Sequence, residues 1–189
     1  MEIKQWRTPL IILAVLLGLY LISNMGQSRH STNIKKVFDI EQESVGRFVI
    51  VGNDTKAEFI WSDSSWTMPA YPADELRKWR VDSFFKNVLG VNRESLVSEN
   101  PSKFATYGVD EVQGRQVEFY DLDGKLAGHL IVGRSASNYG SSFIRKMGSD
   151  EVYLSTTNIY HQLSVDSTYW VQPPPTLPEV DDVISVPQN

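Results

Sequence analysis

Three histidines, His30, His129 and His161, are the side chains of this chain best suited to acid–base or metal chemistry near neutral pH. They are far apart in the sequence, and none belongs to a paired metal-binding pattern such as HExxH. The chain has no cysteine, which excludes disulfides, thiol catalysis, thiolate metal sites and a lipid-bearing cysteine anchor. The spacing of these residues therefore predicts no metal site and no catalytic pair.

Three short motifs share part of a known functional pattern, but none of them fits it. The sequence DLDG at 121–124 begins like a calcium loop, yet Val132 stands at the twelfth position, where such a loop needs a glutamate. The sequence GRSAS at 133–137 ends in serine where a nucleophile elbow needs glycine. Asp110 and Glu111 are adjacent, and adjacent carboxylates in a turn usually diverge into solvent. We therefore predict that the chain is not an enzyme and carries no catalytic, cofactor-binding or metal-binding residues.

One observation would count against that prediction. A pocket in which His129 or His161 met a carboxylate, with a shifted pKa, would satisfy the usual criteria for an acid–base site.

The charge balance argues against a nucleic-acid partner. The formal net charge is −5, and beyond the first thirty residues 15 basic residues face 22 acidic ones. Because the domain is acidic and has no stripe of basic residues, it would repel a phosphate backbone.

Several aromatic and apolar residues are candidates for contact with a ligand or partner. Trp61 and Trp66 flank a turn and are spaced either for stacking on a sugar or for packing across a hairpin, which is the commoner arrangement. Together with Tyr71 they form the candidate ligand surface. Tyr107 belongs to the stretch FATYGVDE at 104–111, which we interpret mainly as a structural turn in which Gly108 adopts a positive φ. Val183 and Ile184, in the C-terminal tail, are candidates for a partner contact.

The elements that would position these residues begin with an N-terminal membrane anchor. Residues 8–28 carry no charge, Lys4 and Arg7 precede them, and the apolar run reaches spanning length when it is counted through residue 25. A cleaved signal peptide is the alternative, but the sequence after the apolar run lacks a clear small-residue cleavage site. The two basic residues favour a cytoplasmic N-terminus, which predicts an extracytoplasmic domain anchored in the cytoplasmic membrane.

After the anchor, the pattern indicates an α+β domain built mostly from antiparallel hairpins around one main amphipathic helix. Residues 45–51, 115–134 and 141–156 contain strand patterns, and Asp123-Gly124 predicts a hairpin turn. The helix is predicted over 71–91, with Pro72 in its first turn. Residues 100–111 are predicted to be irregular. The residues STYWVQ at 167–172 are predicted to form a last strand.

The organisation that follows has four parts. Residues 1–28 form the transmembrane anchor, 29–37 a polar linker, 38–171 the α+β domain and 172–189 a proline-rich tail. The tail contains Pro173, Pro174 and Pro175 in succession, which favour an extended polyproline conformation.

The order of motifs in the domain resembles the DUF4340 family, a domain of unknown function. The matching pieces run from 38 to 171: FDIEQESVGRFVI, WTM, YPADELRKWRVDSFFKNV, LVSENPSKFATYGVDE, VEFYDLDGK, LIVGR, FIRKMGSDEVYL and YWV. The most specific are YGVD after NPSKF, and the hairpin ending in VGR. The resemblance implies a membrane-tethered extracytoplasmic domain without established catalytic residues, often encoded beside ABC-type export or gliding-machinery subunits. The tail lies outside the pattern.

These observations lead to a functional expectation. The chain is expected to be a non-enzymatic accessory subunit of a larger membrane complex, with an ABC-type transporter as the favoured partner and the lipid bilayer as its other contact. The alternatives are a glycan- or peptide-binding envelope module, and an accessory subunit of an electron-transfer or envelope-assembly complex.

Overall fold

Nine antiparallel strands form one sheet in the computed structural model, which describes residues 13, 35–52, 54–72, 74–135 and 139–172. The strands are β1 Lys35–Lys36, β2 Val45–Gly52, β3 Thr55–Ser62, β4 Ser65–Thr67, β5 Asn92–Ser98, β6 Arg115–Asp121, β7 Leu126–Arg134, β8 Ser142–Lys146 and β9 Val152–Ser155. Their order across the sheet is β1-β5-β9-β8-β7-β6-β2-β3-β4. The first strand lies within the stretch assigned above to the linker.

Three α-helices and three 3₁₀ turns complete the described fold. The α-helices are α1 Lys78–Val88, α2 Phe104–Tyr107 and α3 Ser167–Trp170, and the 3₁₀ turns are Gln42–Ser44, Pro101–Lys103 and Tyr160–Gln162. Antiparallel hairpins with few helices confirm the predicted α+β class. Gly124 supports the predicted β6–β7 turn with a φ of 80°. The β3–β4 turn, which the sequence predicts at Ser62-Asp63, lies one residue later, because Asp63 and Ser64 both have left-handed φ angles while Ser62 pairs with Ser65.

The main core lies on one face of the sheet, the inner face, where α1 packs. Phe48 is fully buried at its centre and stacks on Phe59 at 4.3 Å and on Phe84 of α1 at 4.5 Å between ring centroids. Trp170 closes the same cluster, with its ring 4.8 Å from that of Phe59. Because Phe48 pairs with Phe59 on one side and Phe119 on the other, the register brings large rings onto one face.

The opposite, outer face is partly covered by a segment that we name the cover segment, residues 99–114. Its α2 turn, predicted as irregular chain, is helical and ends at Gly108, whose φ of 61° confirms the positive value predicted there. Tyr107 and Phe104 pack in a small second core that includes Val109, Ile131 and Val152. Asp110 accepts backbone hydrogen bonds from Val112 and Gln113, both at 2.8 Å, so this stretch acts as the structural turn that we predicted.

Two glycines allow the cover segment to approach the sheet closely. A Cβ atom on Gly133 of β7 would lie 2.0 Å from the carbonyl oxygen of Tyr107, and one on Gly114 would lie 2.3 Å from Ile131. Neither distance is compatible with a side chain. The YGVD and VGR motifs are therefore in direct contact, since Gly133 is the glycine of VGR and Tyr107 begins YGVD.

The predicted start of the main helix is wrong, because α1 begins at Lys78 rather than near Pro72. The backbone of the preceding residues is bonded instead to the end of the domain. Glu75 accepts a hydrogen bond from the amide of Gln172 at 2.8 Å, and the amide of Arg77 donates to Trp170 at 2.7 Å. The end of α1 at Val88, two residues before Gly90, agrees with the predicted stop.

The predicted last strand is also wrong. Residues Ser167–Trp170 form the short helix α3, and only Val171 makes a strand-like bridge, to Leu76. The reason is local: Asp166 caps the turn by accepting a hydrogen bond from the Thr168 amide at 2.9 Å.

The described residues include no helix that is both long and apolar enough to cross a bilayer. The expected anchor, within residues 1–28, lies outside the described residues except for Leu13, and so does the tail from 173 onwards.

Candidate functional site

A row of polar side chains follows the outer face across four strands, beside the cover segment. We call it the polar row and define it as Glu58, Arg47, Tyr120, Glu118, His129 and Gln116. The strand register brings these residues together, since Arg47 pairs with Tyr120, Glu118 pairs with His129, and Val49 pairs with both Glu58 and Glu118. Strand alternation then points all of them away from the aromatic core.

Each member of the polar row contacts the next. Arg47 donates a hydrogen bond to Glu58 at 2.8 Å, and its guanidinium lies 3.7 Å from the ring centre of Tyr120. The Tyr120 hydroxyl donates to Glu118 Oε2 at 2.5 Å. On the other side, Glu118 Oε1 lies 3.9 Å from His129 Nε2.

Gln116 connects the polar row to the cover segment. Its side-chain oxygen lies 2.9 Å from His129 Nε2, and its amide nitrogen donates to the backbone carbonyl of Glu111 at 2.9 Å. The row is therefore a continuous network that is already paired before any partner binds.

The environment shifts three pKa values in the row. The hydrogen bond to Glu58 raises the pKa of Arg47, and the hydrogen bond to Glu118 raises the pKa of Tyr120, so both groups keep their protons more firmly. Burial lowers the pKa of His129, against the opposing effect of Glu118 and Glu111, while Arg145 lowers it further. Burial thus favours a neutral imidazole in the folded chain.

This arrangement bears on the prediction that the chain is not an enzyme. A histidine beside a carboxylate, with a shifted pKa, is part of what acid–base catalysis requires. His129 also borders a groove of about 440 Å³, but Phe38 and Ile40, which line that groove, pack with the inner-face core, on the side of the sheet opposite to the polar row. However, Glu118 is already bonded to Tyr120, and the row lies on a sheet face. The non-enzymatic assignment stays a prediction.

The His129 shift leads to a pH-dependence prediction. Because the folded pKa is lowered below the ordinary value of 6.5, the unfolded chain binds this proton first as the pH falls. Stability is therefore full above pH 6.5 and is lost as the pH falls from 6.5 through the folded pKa. We expect His129→Gln to flatten the dependence of unfolding free energy on pH in that window, measured by urea denaturation. An unchanged slope in His129→Gln would contradict the assignment.

The aromatic residues proposed from the sequence lie elsewhere. Trp61 and Trp66 pair across β3 and β4 with ring centroids 5.5 Å apart, which is the cross-strand packing considered above. Trp66 also packs on Phe48 and Phe85 of the main core, while Trp61 is 43% exposed. Tyr71, equally exposed, lies in the turn after β4. These three residues are not part of the polar row.

The remaining candidates are either packed or outside the described residues. Tyr107 is half-buried and packs against Phe143, with ring centroids 4.9 Å apart. Val183 and Ile184 lie outside the described residues. Within the part of the chain that the structure describes, no three His, Asp or Glu side chains converge in a way that would hold a metal ion.

The sequence reasoning missed most of the polar row. Glu118 and Tyr120 alternate with Val117 and Phe119 in a predicted strand, so their common face was recognisable. Their neighbours were not, because Arg47 and Glu58 come from strands far earlier in the chain. A polar face on a strand near the middle of a sheet is the signal that could have been followed.

Comparisons with known proteins give one match. The family model described as "Domain of unknown function (DUF4340)" matches residues 66–182. Searches of curated proteins and of solved structures found no match. The family match begins at residue 66, whereas the resemblance described from the sequence begins at residue 38. The match also corrects the expectation that the tail lies outside the family pattern, since residues 173–182 fall within it. The backbone hydrogen bonds of Trp170 and Gln172 to the segment before α1 likewise hold the chain at the start of that tail.

The match covers more than half of the chain and includes the cover segment, the YGVD and VGR motifs that meet at Gly133, and α1 through α3. This chain belongs to the DUF4340 family.

Proposed function

We propose that this protein is a non-enzymatic, membrane-anchored accessory subunit of a larger membrane complex, and that it docks on its partner through the polar row. Its domain lies on the extracytoplasmic side of the cytoplasmic membrane, and an ABC-type transporter is the favoured partner.

The docking proposal rests on how the cover segment and the polar row share the outer face of the sheet. The cover segment packs over the part of this face that contains Ile131 and Val152, and it reaches the near end of the polar row through the hydrogen bond from Gln116 to the Glu111 carbonyl. The far end of the row, at Arg47 and Glu58, stays partly exposed. The side chains of Arg47 and Glu58 are 35% and 31% exposed, yet they are held by hydrogen bonds. A charged surface that is already ordered loses less conformational entropy on binding and selects its partner by charge complementarity.

The anchor proposal rests on the sequence. Residues 8–28 are uncharged, and Lys4 and Arg7 favour a cytoplasmic N-terminus. A single spanning helix provides no path for a solute, so a chain of this design acts with other membrane subunits. The family resemblance to proteins encoded beside ABC-type export systems favours that class of partner.

One preparation of the protein tests both the membrane anchor and the assignment as a subunit. We expect the full-length protein to stay in the membrane fraction after alkaline carbonate extraction and to bring down membrane subunits when it is affinity-purified in mild detergent and analysed by mass spectrometry. A soluble product starting near residue 27 would contradict the anchor, and a lone monomer would contradict the subunit assignment. Recovery of electron-transfer or envelope-assembly subunits would keep the subunit assignment but replace the transporter as the partner.

A second candidate function is recognition of a glycan or peptide by the exposed aromatic residues. It is favoured by the exposure of Trp61 and Tyr71, each 43% accessible to solvent. Saturation-transfer NMR with the full-length protein separates the two candidates, because ligand signals lost in Trp61→Ala would support the binding module.

A further inference from the structure

Two arginines lie side by side at one end of the inner face, away from the polar row. Arg115 of β6 pairs with Val132 of β7, and Arg134 is two residues further along β7. Residues two apart on a strand share a face, so both side chains point to the same side of the sheet. Both reach the ring of Tyr160: the guanidinium carbon of Arg115 lies 4.3 Å from its centroid, and that of Arg134 lies 5.1 Å away. We name this group the arginine pair.

The aromatic ring beneath the arginine pair is held in place by a buried network. Ser142, which is fully buried, accepts hydrogen bonds at its hydroxyl oxygen from the amides of Ile159 and Tyr160 at 3.1 and 3.2 Å. Asn158 also accepts a bond from the Tyr160 amide, at 3.1 Å. Arg115 in turn donates to the Tyr160 carbonyl at 3.1 Å. The platform is therefore ordered without a ligand.

The charge of the arginine pair is not balanced within the described residues. Neither Arg115 nor Arg134 forms an ion pair there, although Arg47 and Arg93 each have a glutamate partner. A guanidinium stacked on an aromatic ring keeps the N–H groups at its edge directed outward, where they match the oxygens of a carboxylate or phosphate.

We propose that the arginine pair is a binding site for a doubly charged oxyanion group, either a phosphate or two neighbouring carboxylates. Arg134, the exposed member, supplies the first contact, and Arg115, held by Tyr160, supplies the second. The proposal does not depend on the polar row or on the identity of a partner complex.

The test is an NMR titration of the arginine Nε–H signals of the full-length protein in detergent, with inorganic phosphate in one series and succinate in the other. We expect saturable shifts at Arg115 and Arg134. Arg134→Gln removes a charge without removing a side-chain hydrogen bond between described residues, so it should keep the fold. It should weaken binding about tenfold, the effect of losing one charge-assisted hydrogen bond.

Arg93→Gln is the matched control, because Arg93 also lies over a tyrosine, Tyr153 at 4.9 Å, but has Glu151 as a partner at 3.8 Å. It should leave the affinity at the arginine pair unchanged. Saturation by phosphate alone identifies a phosphate site, and saturation by succinate a carboxylate site. Shifts that do not saturate in either series, or that Arg93→Gln weakens as much as Arg134→Gln, would overturn the proposal.

Discussion

Replacing Trp170 with alanine should lower the free energy of unfolding by about 4 kcal/mol, as expected for a large aromatic side chain removed from a packed core. Trp170 is fully buried and lies against Phe59 and Phe84, with ring centroids 4.8 and 5.7 Å away. Its indole nitrogen also donates to the Ser164 carbonyl at 2.8 Å, and the substitution leaves that carbonyl without its partner. The measurement is urea denaturation followed by far-UV circular dichroism, which reports mainly the backbone and not the tryptophan side chain.

Trp79→Ala is the matched control, since Trp79 is on α1 but is 58% exposed. Its replacement should cost less than about 1 kcal/mol, the value of its exposed contact with Arg80. Equal losses of unfolding free energy in the two variants would show that Trp170 does not close the main core.

Gly133→Ala should detach the cover segment from the sheet and destabilise the chain by about 3 kcal/mol, near the upper end of typical overpacking effects. The added methyl group would meet the backbone oxygen of Tyr107 at 2.0 Å, and a backbone atom cannot move aside alone. We expect amide hydrogen exchange to become faster across 104–114 while the exchange of β2 and β3 stays slow.

The control for this prediction is Gly52→Ala. A Cβ atom at Gly52 meets Cγ of Arg115 at 3.3 Å, a contact that a shift of a few tenths of an ångström relieves. The variant should therefore remain close to the wild type. Unchanged exchange across 104–114 in Gly133→Ala would contradict the direct contact between the two family motifs.

Local signals in the sequence predicted the hairpins well. Asp123-Gly124 specified the β6–β7 turn, the Trp61 and Trp66 spacing matched a cross-strand pair, and Gly108 took the left-handed conformation that its place in a tight turn required. At Gly124 and Gly108 a single residue type satisfies a local steric demand, and the tryptophan pair is set by residues only five apart in the chain.

Features that depend on distant contacts were not predictable from the sequence. The segment before α1 has good helix-start residues, but its backbone groups bond to Trp170 and Gln172 instead. The same pairing accounts for part of the error at 167–172, and the cap by Asp166 accounts for the rest. Tertiary pairing outweighed local propensity at both places.

The candidate site also combines features set by local sequence with features set by distant contacts. Alternation in β6 placed Glu118 and Tyr120 on one face, but only the strand order brings Arg47 and Glu58 beside them. The arginine pair likewise needs the ring of Tyr160, which comes from a 3₁₀ turn more than twenty residues further along the chain than either arginine. Chemistry assembled from several strands has no signature at a fixed spacing.

The central claim, that the chain docks through the polar row, is tested most directly by an exchange of charges within it. Arg47→Glu combined with Glu58→Arg keeps an ion pair on the sheet but reverses the pattern shown to a partner. The control exchange, Arg93→Glu with Glu151→Arg, alters the other exposed Arg–Glu pair, on β5 and beside β9. The measurement is the amount of membrane partner recovered with each full-length variant in mild detergent, at equal thermal stability. We predict that recovery falls at least tenfold for the polar-row exchange and stays at the wild-type level for the control; equal recovery from both would contradict the account.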